Sequence, residues 1–279
     1  EISECLVGSE MCIRDRIASY QESSTIPLFM AVDEEGGTVV RISSNPLLAT
    51  SRFLSPQEVY RQGGMEAIHQ DTIAKATLLK ELGVNINLAP VADVSTNPTD
   101  YIYRRSFGQD ANATADYIGK VVRWYQEEDM ACTLKHFPGY GNNKDTHQGI
   151  AIDERAYSTF LEQDFLPFEE GIKNGVPSIL VSHNIVKSMD EDYPASLSKE
   201  VHRILREDLG FTGVIMTDDL AMNAISEYTH HPAVEAVLAG NDLVMVTDYV
   251  ASYQEILKAV RENIISEDRI DPVSYTHLT

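Results

Sequence analysis

Cysteine, tryptophan and positive charge are scarce in this chain of 279 residues, which has three cysteines, one tryptophan and 22 basic side chains against 43 acidic ones. Cys5 and Cys12 lie close to the N-terminus, which leaves Cys132 alone in the body of the sequence. A lone cysteine closes no intramolecular disulfide, so the fold cannot be a disulfide scaffold and cysteine carries no information on redox compartment. The formal charge of −21 argues against nucleic acid or an anionic membrane as partner, because both demand a cationic surface. No apolar run approaches the roughly 18–20 residues of a membrane span. Neither G-x-G-x-x-G nor G-x-x-x-x-G-K-[ST] occurs, which removes the usual dinucleotide and P-loop readings. Internal repeats and low-complexity tracts are missing as well. What is present is a 43% hydrophobic composition, enough for a substantial core in one large domain or two small ones. A neutral or small-molecule substrate suits such a body.

The two ends read differently from the middle. Residues 5–16 (CLVGSEMCIRDR) and 273–279 (VSYTHLT) resemble translated sequencing-adaptor read-through. We therefore expect residues 17–272 to carry the fold, with 1–16 and 273–279 as non-native tails.

Between them, short apolar β-branched runs alternate with helical periodicity, the pattern of βα units. The expected strands are Leu28–Asp33, Val84–Ala89, Ala131–His136, Ser178–Ser182, Gly213–Asp218 and Asp242–Thr247. Their nearly continuous hydrophobicity predicts parallel strands buried on both faces. Ala115, Ile118, Val122 and Tyr125 repeat at helical steps, as do Leu161, Phe165, Phe168 and Ile172. Gly83, Gly175, Gly210 and Gly240 each follow a helical segment and precede a strand, as expected for glycine that ends a helix.

Polar residues stand at the C-terminal end of strand after strand: Asp33, Asp93, Lys135 with His136, His183, and Asp218 with Asp219. A doubly wound sheet would gather its functional groups at one switch point. Contributions from every strand predict instead an α/β fold of the TIM (β/α)8 barrel type, with about six of its strands visible.

These blocks carry a specific resemblance. In order, they are AVDEEGGTVVR at 31–41, NLAPVADV at 87–94, RRSFG at 104–108, LKHFPGYG at 134–141, DTH at 145–147 and LREDLGFTGVIMTDDLAM at 205–222. Over residues 26–271 the chain resembles glycoside hydrolase family 3, in particular its single-domain β-N-acetylglucosaminidase (β-N-acetylhexosaminidase) branch. The resemblance implies a barrel with two further strands ahead of the AVDEEGG block, so the chain reads as a barrel truncated to about its last six strands.

It also implies a retaining glycosidase that removes terminal non-reducing β-linked N-acetylglucosamine. Asp218, directly after Thr217, matches the family nucleophile. Asp145 and His147 match an acid/base dyad, in which the carboxylate orients an imidazole able to donate and accept a proton near neutrality. Asp33, Arg41, Arg105, Lys135 and His136 match sugar-binding residues, the cations and imidazole donating to hydroxyls and Asp33 accepting from them. Glu34 and Glu35 are expected as salt-bridge or turn residues, and Asp219 as structural. The polar loop Gly139–Gly149 departs from the family pattern: Tyr140 and Asn142 replace two residues of a GHGD segment, and the approach to Asp145 is one residue shorter. The resemblance further implies no cofactor and no metal, a carbohydrate substrate such as a muropeptide fragment in peptidoglycan recycling, a monomer, and a cytoplasmic setting.

Three other readings compete. A β-glucosidase or glycoside phosphorylase could use the same scaffold. A catalytically silent sugar-binding protein could retain the site without turnover. A metal-dependent hydrolase could use Asp145, His147 and His136 as ligands, although an adjacent lysine disfavours a cation there.

Overall fold

The computed structural model describes residues 10–143, 149–226 and 228–276. Five strands form one parallel sheet in the order β1 (Ala31–Val32), β2 (Ile86–Asn87), β3 (Ala131–Phe137), β5 (Ser178–Val181) and β7 (Val214–Thr217). A short parallel pair, β4 (Ile152–Asp153) with β6 (Ile185–Val186), lies apart from it. The helices are α1 (Glu10–Ser23), α2 (Pro56–Glu81), α3 (Ala111–Glu127), α4 (Tyr157–Thr159), α5 (Phe165–Lys173), α6 (Lys199–Arg203), α7 (Asn223–Ser226), α8 (Pro232–Ala239), α9 (Tyr249–Arg261) and α10 (Glu267–Thr276). One wide π turn, Phe160–Asp164, joins α4 to α5, and another, Ile204–Asp208, continues α6.

Strand order decides between the two α/β architectures. Sequence order equals spatial order with no reversal, so the sheet winds in one sense like a barrel wall and has no switch point. Helices α2, α3 and α5 form the outer layer over the early strands. Phe137 of β3 stacks on Phe165 at 5.5 Å and meets Phe168 edge-on at 5.2 Å between ring centroids. Ile118, Val122 and Tyr125 of α3 and Leu134 of β3 join the same cluster.

Local chemistry explains the element ends. Ser55 and Glu58 form a reciprocal capping box at the start of α2, and the Asp110 side chain accepts from Ala113 N at the start of α3. Gly83, Gly175, Gly210 and Gly240 all adopt positive φ, as their placement after helices predicted.

Three expectations are corrected. The first run pairs only through Ala31 and Val32, and Leu28 and Phe29 are exposed, because β1 is the sheet edge among the described residues. The segment Asp242–Thr247 runs beside β7 but joins it through a single Met216–Leu243 bridge, so among the described residues the main sheet has five strands rather than six. Leu161 is exposed although Phe165 and Phe168 are buried, because the π turn shifts the helical phase around it.

Candidate active site

The C-terminal strand ends surround a cleft of about 330 Å³ whose lining includes Asp33, Arg41, Arg105, Lys135, His136 and Asp218. These are all of the expected site residues that lie within the described part of the chain. Asp145 and His147 fall outside the described residues. Tyr101, Tyr140, Val39, Leu88, Leu180 and Met245 complete the wall, giving apolar faces beside the polar groups.

Lys135 is the hub. Its Nζ donates to Asp33 Oδ1 at 2.7 Å and lies 2.6 Å from Glu35 Oε1, with only 3% of its side chain exposed. Burial alone would lower its pKa, but Glu35 and Asp33 outweigh burial and raise it, so the ammonium stays charged. Arg105 grips Glu35 with a two-toothed contact, Nε to Oε2 at 3.0 Å and Nη2 to Oε1 at 2.7 Å. Burial raises the Glu35 pKa, yet the two cations prevail and bring it down to about 2. Glu35 is thus a buried counter-ion that sets two cleft cations. Arg41 is looser: its guanidinium is 59% exposed and stands 3.8 Å from Asp33 Oδ2.

Lys135 and His136 are adjacent in a strand, where alternation would send their side chains to opposite faces. Both line the cleft because the β3 register against β5 shifts between Leu134 and Phe137, a local break in the pleat. The Lys135–His136 peptide is cis. Asp93 holds the imidazole from behind: its Oδ2 accepts from His136 N at 3.1 Å and lies 2.7 Å from Nδ1, while its Oδ1 accepts from Tyr140 N at 2.7 Å. With Nδ1–H donating to Asp93, the lone pair of Nε2 accepts from Arg105 Nη2 at 3.1 Å. Both His136 ring nitrogens are thus engaged by protein groups, Nδ1 by Asp93 and Nε2 by Arg105, while the ring still lines the cleft.

Among the described residues Glu34 forms no ion pair. It is fully buried and folds the following turn, accepting from Arg41 N at 2.9 Å, Ile42 N at 2.8 Å and Ser43 N at 3.1 Å. The next two residues allow that turn. Gly36 has φ of +101°, and a Cβ there would fall on Leu54 O.

Asp218 follows β7, and its backbone N–H donates to Val181 O at 3.2 Å, prolonging the β5–β7 pairing by one residue. Its Oδ1 accepts from Asp219 N at 2.8 Å. Burial pushes its pKa up, but His183, His136, the Asp219 N–H and Lys135 together outweigh burial and hold it below the usual aspartate value. The carboxylate is ionised at neutral pH and opens onto the cleft. Asp219 turns away, as expected for a structural residue: its Oδ1 accepts from Ala221 N at 2.9 Å and its carbonyl meets His183 Nε2 at 3.1 Å.

The supporting residues outside the expected set are Asp93, Glu35, Tyr101 and Tyr140. A buried carboxylate signals itself in sequence only as another strand-end acid, and an aromatic wall carries no motif. No group of three or more His, Cys, Asp or Glu side chains among the described residues is arranged to hold a metal.

The model of the glycosyl hydrolase family 3 N-terminal domain matches residues 6–277. The chain belongs to glycoside hydrolase family 3. A β-hexosaminidase of Nitrosomonas eutropha is 32% identical over 249 residues, covering 88% of this chain and 72% of that protein. The solved structure of a family 3 β-N-acetylglucosaminidase from Paenibacillus superposes with a TM-score of 0.86 at 30% identity, over 96% of this chain and 53% of the other. A family 3 member from Mycobacterium smegmatis gives a TM-score of 0.82 at 27% identity, covering 92% of this chain and 82% of that one. This family 3 chain therefore spans about half the length of the Paenibacillus enzyme and most of the length of the other two.

Proposed function

We propose that this family 3 chain is a retaining β-N-acetylhexosaminidase that releases terminal non-reducing β-linked N-acetylglucosamine, with Asp218 as nucleophile and His147 with Asp145 as the acid/base pair. The observation that carries the proposal is the cleft itself: an ionised carboxylate at the tip of β7 shares it with the buried cations Lys135 and Arg105 and with the acceptor carboxylate Asp33. Relatives named β-hexosaminidase support the substrate class.

The chemistry follows from those groups. Asp33 accepts from sugar hydroxyls while Lys135 and Arg41 donate, placing the anomeric carbon against the Asp218 oxygen that is not engaged by Asp219 N. The carboxylate oxygen attacks C1 as the bond to the leaving oxygen breaks and His147 gives that oxygen its proton. The product is a covalent glycosyl ester. Neutral His147 then takes a proton from water, whose oxygen attacks C1 and frees Asp218. Asp145 orients the ring and favours its protonated form in the first step. No cofactor or metal enters these steps. The proposal extends to muropeptide fragments as substrates, and to a monomer acting in the cytoplasm.

The direct test is covalent trapping with a slow fluorinated glycoside. Digestion and peptide mass should place the adduct on Asp218, and an adduct elsewhere would overturn the assignment. Asp218→Ala should lower kcat by at least ~10³-fold, as removal of a nucleophile does. Release of a chromogenic N-acetylglucosaminide should exceed that of the matching glucoside and should not respond to phosphate. Phosphate-dependent turnover would indicate a phosphorylase instead.

A further inference from the structure

The segment that carries Asp145 and His147 leaves the sheet after β3 and rejoins regular structure at β4, and one guanidinium joins its two stems. On the first stem, Arg155 Nη2 donates to Gly139 O at 3.2 Å. On the second, Arg155 Nε reaches both Asp153 oxygens at 3.1 and 3.0 Å, and Nη2 reaches Asp153 Oδ2 at 2.7 Å. Asn143 Nδ2 donates to the same Asp153 Oδ2 at 2.6 Å, closing a link between the stems. Nη1 donates to Asp164 Oδ2 at 2.9 Å, which ties the assembly to the helical layer. The guanidinium lies 4.3 Å from the Phe160 ring centroid. Asp153 and Asp164 are each only 1% exposed, and Arg155 is 20% exposed.

The surroundings are shaped to this contact. Gly139 has φ of +126° and Gly141 has φ of +52°; a Cβ on the first would fall on Asp164 Oδ1, and on the second on Arg155 Cζ. The chain reaches the clamp only because both residues lack side chains. The π turn Phe160–Asp164 ends on Asp164, and such turns are frequent at functional sites. Asp164 Oδ1 is buried without a hydrogen-bond partner, and burial, opposed by Arg155, pushes the Asp164 pKa up to about 7. The β4–β6 pairing fixes the second stem to the fold, so the clamp transmits that position to the first. Lysine could not replace the arginine, because two carboxylates and a carbonyl are met by a planar fork of donors.

We infer that Arg155 is a positioning residue for acid/base catalysis: by clamping Gly139, Asp153 with Asn143, and Asp164, it fixes the described residues on either side of the stretch whose sequence carries His147. The inference rests on the assignment of His147 proposed above. A mispositioned acid harms only those substrates whose leaving group needs a proton. Two N-acetyl-β-glucosaminides separate this from a general loss of structure: one with 2,4-dinitrophenolate as leaving group, which departs unprotonated, and one with plain phenol, which does not.

For Arg155→Lys, kcat/KM on the phenyl compound should fall by ~100-fold while that on the dinitrophenyl compound stays within ~3-fold, the size of effect expected of a general acid. Asn143→Ala breaks the link at its other end and should show the same selectivity in a smaller degree, which keeps the inference testable if the arginine variant does not fold. Equal losses on both compounds in either folded variant would overturn it and make Arg155 merely structural. A wild-type chain that hydrolyses neither compound overturns the hexosaminidase reading and this inference with it. A wild-type chain that hydrolyses both, beside variants with uniform losses, overturns only the inference.

Discussion

Lys135 touches two carboxylates at once, Glu35 and Asp33, and the labour is divided between them. Glu35 is buried and ionised at neutral pH, and it supplies the counter-charge to Lys135 and Arg105. Asp33, about one-third exposed, is left to face the cleft. Replacing Glu35 with Gln removes the carboxylate partner of Arg105 and leaves Lys135 with Asp33 alone, and the expected loss of stability is about 3 kcal/mol, measured by urea unfolding. The pH dependence has a definite sign. Because the Glu35 pKa is lowered from 4.5 to about 2, its contribution is complete above pH 4.5 and disappears as pH falls toward 2. The Glu35→Gln variant should therefore show a flatter stability profile than wild type across that window.

Among the elements, β3 does the most for function and is the least regular. Its register break brings Lys135 and His136 to one side, while its flanking residues Leu134 and Phe137 remain wholly buried. The strand can afford that irregularity because α5 packs an aromatic cluster behind it. Phe168→Ala removes the edge-on partner of Phe137 and should cost about 3–5 kcal/mol, seen as a lower urea midpoint. If that packing also holds the register break, kcat/KM will fall in the variant under conditions where it is fully folded.

For the whole molecule, a sheet wound in one sense gathers residues separated by 185 positions, from Asp33 to Asp218, around one opening. The acidic balance of the chain coexists with cations exactly where the sugar is expected, since Arg41, Arg105 and Lys135 are concentrated in the cleft. Cys132 on β3 reports on this architecture as a unit. It is fully buried, and burial pushes its thiol up to about 12. Alkylation followed by peptide mass should label Cys132 only at the rate of global unfolding, and rapid labelling under native conditions would show that the sheet opens locally.

Much of this was legible in the chain itself. Continuous apolar runs, glycines after helices and polar strand ends specify parallel βα units and a convergent face, because hydrophobic period and backbone conformation are local properties. Asp33, Arg41, Arg105, Lys135, His136 and Asp218 could be named from their motifs, and all six line one cleft. The partners of those residues could not be named. That Glu35 is a buried counter-ion, that Asp93 fixes the His136 tautomer, and that Arg155 joins Gly139 to Asp164 depends on which groups lose water together. Sequence determines the chemical groups and the period at which they recur; only the tertiary structure decides which of them share a low-dielectric pocket, and there pairing and pKa are set by neighbours distant in the chain.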